Sequence, residues 1–235
     1  ALLESLRSLG YTAVSTGAIQ DAGGKALPDP KDRIRIYELV SAALTDDAQG
    51  NYAESLRKLQ EADKSEPRSR TIRFLLATEF YHLKDYARAA AAYQSALELD
   101  PRNSVAAYYL GLSQLETGDL EAARRAFERT LELDPKSFSA AFNLGVVYTR
   151  LHQARPAIQA FQRAVEILPD YADAHEALGE LYLFLNRPQD AARELERALA
   201  IAPQMSKAHG PLGRAYEALG QHEKAQQEFA RAKAP

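Results

Sequence analysis

The prolines set the frame for this chain. Pro67, Pro101, Pro135, Pro169 and Pro203 recur every 34 residues. A proline disfavours helical geometry at the residue before it and cannot donate into a continuing helix, so these five cut the chain into equal units. A fixed period of this size marks stacked repeats rather than one irregular core. Five other columns keep the step. A small residue stands at Ala43, Ala77, Gly111, Gly145, Gly179 and Gly213, preceded by Ala42, Leu76, Leu110, Leu144, Leu178 and Leu212. The other columns are Ser55, Ala89, Ala123, Ala157, Ala191, Ala225; then Leu59, Tyr93, Phe127, Phe161, Leu195, Phe229; then Ala62, Ala96, Thr130, Ala164, Ala198, Ala232. The register starts at Ile36 and gives units 36–69, 70–103, 104–137, 138–171, 172–205 and 206–235.

Each unit reads as two helices. In the third, Ala107, Leu110, Gly111 and Gln114 follow helical spacing until Gly118-Asp119 interrupts. Leu120, Ala123, Phe127 and Thr130 resume it, and Asp134-Pro135 stops it. Gly111 and Ala123 fall where two antiparallel helices cross most closely, and Leu110 and Phe127 fill the wedge beside them. Period and column identities together resemble the tetratricopeptide repeat family over about 200 of the 235 residues. The resemblance implies an all-α fold, a right-handed α-solenoid of antiparallel helix pairs with a concave groove. Gly210-Pro211 predicts a kink or a late helix start, whereas Pro156 and Pro188 fall at second-helix starts, where proline is tolerated.

The ends depart from the register. The last unit turns polar at Lys233 where inner units carry Leu131 or Val165, and 221–233 is mostly Gln, Glu, Lys and Arg, as a capping helix requires. Asp63 and Ser65 make the first unit polar at the equivalent places, which predicts a weaker joint and earlier fraying there. Residues 1–35 lie ahead of the repeats. Leu2, Leu3, Leu6 and Leu9 predict a short amphipathic helix, followed from Thr12 to Pro30 by a Gly- and Pro-containing linker. The chain opens at Ala1 rather than Met, and we expect a piece of a longer protein. The string Leu3-Glu4-Ser5-Leu6-Arg7-Ser8-Leu9-Gly10-Tyr11 resembles the tail of bacterial sulfatases of the alkaline-phosphatase superfamily. That resemblance implies a catalytic domain upstream of Ala1 and an exported or periplasmic parent. The sulfatase nucleophile motif is absent from the sequence, so no catalytic residue carries over.

Composition narrows the chemistry. The formal net charge is −3, which argues against nucleic acid, whose binders need a basic surface. A 34-residue period also differs from the 35-residue repeats that read RNA. No run of eighteen apolar residues predicts membrane insertion. There is no Cys, which removes disulfides, thiolate ligands and thiol nucleophiles. No Gly-x-Ser-x-Gly elbow or phosphate-binding glycine loop occurs. We therefore expect no catalytic residue, no cofactor and no metal. His175 and His209, one repeat apart, read as helix-packing histidines.

In the resembling family the first helix of each pair lines the groove. Transferred to this chain, that puts Phe74, Tyr81, Tyr108, Tyr109 and Phe142 in an aromatic strip, with Asn143 beside them to bond an extended peptide backbone. His82, Arg150 and Phe184 come from the following turn, and Glu176 and Glu180 give an acidic end suited to a cation or a basic side chain. One family variant clamps the C-terminal carboxylate of chaperones with Lys, Asn, Asn, Lys and Arg. Only Asn143 and Lys207 match here, so no chaperone tail is expected. The leading expectation is a non-catalytic scaffold for a protein or peptide partner. The alternatives are an interaction module of a sulfatase-like hydrolase, and a self-associating homo-oligomer whose groove is filled by its own Leu2 to Val14.

Overall fold

A computed structural model describes residues 30–233, and the expected N-terminal helix and the linker up to residue 29 lie outside them. The described residues form twelve α-helices and no strand. They fall into two compact units divided between Pro101 and Arg102. The first holds α1 (Pro30–Ala48), α2 (Tyr52–Ser65), α3 (Arg70–His82) and α4 (Tyr86–Leu99). The second holds α5 (Ser104–Thr117), α6 (Leu120–Leu133), α7 (Phe138–Arg150), α8 (Ala154–Ile167), α9 (Ala172–Phe184), α10 (Pro188–Ile201), α11 (Ser206–Ala218) and α12 (His222–Ala232). The first helix begins at Pro30, ahead of the Ile36 at which the repeat register starts.

Start signals are explicit where the sequence supplies them. Asp85, Asn103, Asp119 and Ser137 each accept a hydrogen bond from the backbone N–H three residues on, capping α4, α5, α6 and α7. The break between paired helices obeys a column of which the sequence pattern shows only Gly118 plainly. Gly50, Lys84, Gly118, His152, Asn186 and Gly220 all have φ between 54° and 83°. These positions are one period apart, so every pair reverses direction through one left-handed residue. Glycine adopts that conformation freely, whereas Lys84, His152 and Asn186 hold it at a cost.

The small column faces the large one. A Cβ on Gly111 would lie 2.8 Å from Phe127, on Gly145 2.6 Å from Phe161, on Gly179 2.4 Å from Leu195, and on Gly213 2.6 Å from Phe229. The crossing distance is thus set by a missing side chain against a buried or half-buried ring or a leucine. Within the second unit the pairs are also tied to one another. Tyr148 Oη donates to Glu128 at 2.9 Å, Gln162 Nε2 donates to Tyr182 Oη at 3.2 Å, and Tyr216 Oη donates to Glu196 at 2.6 Å. Each tyrosine is on the first helix of a pair and its partner on the second helix of the pair before. Burial first, and then the Glu196 carboxylate, push the Tyr216 phenol well above its ordinary range.

The structure bears on two irregularities of the sequence. α11 runs unbroken from Ser206 through the buried Pro211 to Ala218, so there is no late start. Pro211 stands early enough that only a first-turn carbonyl loses its donor. The polar joint at Asp63 holds an ion pair, with Arg73 Nε 3.0 Å from its carboxylate. Pro156 and Pro188 do sit in the first turns of α8 and α10.

Candidate functional site

The residues expected to line the groove divide between the two units. In the first, Phe74 stacks edge-on against Tyr93 at 5.9 Å and Tyr81 against Tyr86 at 5.5 Å. His82 lies 4.6 Å from the Tyr52 ring and bonds Asp47. In the second, Tyr108 packs on Tyr109 and Phe127, and Phe142 sits between Phe161 and Tyr171 at 5.5 and 5.1 Å. The strip is therefore half-buried and largely engaged in packing helices together. Burial raises the Tyr108 phenol above its usual range, as expected of a ring turned inward.

Asn143 is also committed inside the fold. Its Nδ2 donates to Tyr108 Oη at 3.1 Å and to the Ser139 carbonyl at 2.9 Å, which leaves its amide oxygen as the group for a peptide N–H. Glu176 and Glu180, one turn apart, have separate fates. Glu176 is 8% exposed and lies 3.2 Å from Lys207, which also bonds Asp173 at 2.9 Å. Burial raises its carboxyl, and Lys207 partly offsets that. The reading of Glu176 as a receptor for an incoming cation is thus corrected: the cation is already supplied by the next repeat. Glu180 remains exposed.

The structure gathers Arg150, Glu180 and Phe184 around one cavity of about 560 Å³ in the second unit. Its floor is Val146, Phe161, Ala177 and Leu181. Its side is the turn from α7 to α8, with Thr149, His152 and Ala154. The volume falls in the range of ligand pockets, and such sites combine an apolar lining with a few polar groups. Phe184 is 80% exposed at the edge, so its ring area is unspent on folding. Arg150 and Glu180, both exposed, form no ion pair among the described residues. An apolar hollow with one free cation, one free anion and one free aromatic ring suits a polypeptide segment.

The sequence held a usable signal for this place. Ala177, Glu180, Leu181 and Phe184 share one face of α9 at helical spacing, and Val146, Thr149 and Arg150 do the same on α7. Reading one turn beyond the aromatic strip brings in Arg150 and Phe184. Thr149, His152 and Ala154 escape it because they belong to the end of α7 and the interhelical turn. His175 and His209 lie elsewhere and play the expected part. His175 Nδ1 is 2.8 Å from Glu194 with Nε2 3.0 Å from the Pro169 carbonyl, and His209 Nδ1 is 2.6 Å from Glu228. Each joins the two helices of its own pair.

Family models described as tetratricopeptide repeat match residues 41–104, 108–172 and 149–206, and a second such model matches 185–235. No curated protein matches the chain. Among solved structures, the MamA protein is 28% identical, with 69% of this chain and 89% of that one covered and a TM-score of 0.66. YrrB, described as a TPR protein with an unusual peptide-binding site, is 23% identical over 74% of this chain and 90% of its own, with a TM-score of 0.65. A tetratricopeptide repeat protein from Parabacteroides merdae ATCC 43184 is 18% identical, covers 85% and 81%, and has a TM-score of 0.71. The last two likenesses concern the fold alone.

Proposed function

The chain belongs to the tetratricopeptide repeat family, whose members are generally non-catalytic scaffolds, and from that premise we propose that its second unit receives a peptide segment of a partner protein. The segment places an apolar or aromatic anchor in the cavity between α7, α8 and α9, with flanking polar or charged groups meeting Arg150 and Glu180. The observation that carries this reading is the exposed Phe184 ring at the mouth of an apolar cavity whose two rim charges are unpaired. A buried aromatic anchor with polar surroundings is the usual core of a binding hot spot.

Peptides displayed at random and selected on the immobilised chain supply a probe. For a selected peptide measured by fluorescence anisotropy we expect a Kd around micromolar, or about 8 kcal/mol. Phe184→Ala weakens it at least tenfold, about 1.4 kcal/mol, and Arg150→Glu weakens it when the peptide carries an acidic flank. Unchanged affinity in a folded Phe184→Ala chain would remove the cavity from the reading.

A further inference from the structure

A second cluster stands in the first unit, away from that cavity and unused by it. Asp47 at the end of α1, and Glu79 and His82 on α3, each present one ligand atom, and these atoms lie within 4.8 Å of one another. It is the one group of three such residues among the described residues. Glu79 and His82 are three apart, so one helix face carries both. Neither the proline frame nor the groove columns single out this Glu-x-x-His pair.

Glu79 is the independent observation. It is only 2% exposed, and one of its oxygens accepts a hydrogen bond from Ser55 Oγ at 2.7 Å. Its other oxygen, Oε2, is buried with no hydrogen-bond partner. Such groups in folded proteins normally have a partner, and a buried acceptor without one is costly. The surroundings add to that cost. Asp46, Asp47 and Glu79 bring three carboxylates together, and Lys58 pairs with Asp46. A bound cation would satisfy Oε2 and the excess charge at once. The imidazole already stands beside its proposed co-ligand, with Nδ1 3.0 Å from Asp47 Oδ1, and the Tyr52 ring packs against it.

We propose that Asp47, Glu79 and His82 bind one divalent cation of the zinc class, through an imidazole nitrogen and two carboxylates, with a fourth position open to water. The donor set decides the class. Calcium and magnesium take oxygen shells, whereas a histidine nitrogen beside carboxylates suits zinc and its cobalt analogue. Tetrahedral zinc with ligands at about 2.0–2.1 Å needs them about 3.4 Å apart. The His82 ring and Asp47 carboxylate, 33% and 30% exposed, have room to close that distance around the fixed Glu79.

Calorimetric titration of the whole chain with Zn²⁺ tests the site, with the visible spectrum of added Co²⁺ reporting its ligands. We expect one equivalent bound, a rise in melting temperature on Zn²⁺ addition, and at least a tenfold loss of affinity in Glu79→Gln and in His82→Asn. His222→Asn, at an exposed position on α12, leaves binding unchanged. If Glu79→Gln fails to fold, Asp47→Asn at its partly exposed position gives the same reading. Absence of binding, or equal affinity in these variants and the parent chain, overturns the proposal. Loss in His222→Asn instead would place the ion elsewhere and overturn it equally.

Discussion

Adding a single methyl group at Gly179 tests the packing rule that builds every helix pair. A Cβ there would lie 2.4 Å from Leu195 Cγ, 2.9 Å from Cδ2 and 3.1 Å from Cδ1. Leu195 is fully buried, so it cannot swing into solvent to make room. Overpacking of this kind costs about 1–3 kcal/mol, while replacing glycine by alanine inside a helix returns about 1 kcal/mol. The net expectation for Gly179→Ala is a loss of up to about 2 kcal/mol in urea unfolding followed by circular dichroism. The same column holds Ala43 and Ala77 in the first unit, both fully buried. A methyl is therefore tolerable where the whole pair is built around it, and the cost belongs to the match with Leu195. A double-mutant cycle isolates that match. Leu195→Ala alone costs about 2–5 kcal/mol, but in its background the methyl added by Gly179→Ala enters vacated space, giving about 1–3 kcal/mol of favourable coupling. Stabilisation by Gly179→Ala alone, or strict additivity in the cycle, would refute the close-crossing argument.

Three further outcomes follow from particular residues. Lys84 holds φ at 60°, where a non-glycine residue loses about 1–2 kcal/mol, so Lys84→Gly raises stability by about 0.5–1 kcal/mol in the same unfolding assay; a loss would mean that its side chain is held by something stronger. Burial raises the Glu176 carboxyl, so the proton is bound more tightly in the fold than in the unfolded chain. That stability is full below the ordinary carboxyl range and fades as pH rises through the raised value, so over this window the parent chain loses stability relative to Glu176→Gln; the opposite trend would mean that the Lys207 pair dominates. Amide exchange is expected to be faster near Leu56 on α2, which buries only Ser55, Leu59 and Ala62, than near Leu131 on α6, which buries a full face including Phe127 and Leu131; equal protection would contradict the weak-joint reading.

The sequence exposed the scaffold more fully than the site, and the reason is physical. Packing between repeats is imposed identically on each unit, so its constraints recur as columns: Gly145 against Phe161 repeats as Gly179 against Leu195. A binding place is imposed once and leaves no column. The same register position reads Arg150 in one unit and Phe184 in the next, and the cavity needs both. The aromatic strip reads two ways for a related reason, since Phe142 and Tyr108 look alike whether a ring serves a ligand or wedges two helices together. Glu176 misled because its neutralising partner, Lys207, lies one unit away and becomes visible only when the units stack. The histidines were legible because their spacing repeated, and each does bridge the helices of its pair.

The claim that a peptide anchors beside Phe184 is tested most directly by mapping NMR shift changes on adding a selected peptide to the labelled chain. The expected result is changes confined to the Val146, Ala177 and Leu181 methyls and the Phe184 ring, saturating with the affinity measured by anisotropy. Changes centred on Tyr108 and Asn143 with the cavity methyls silent would contradict it.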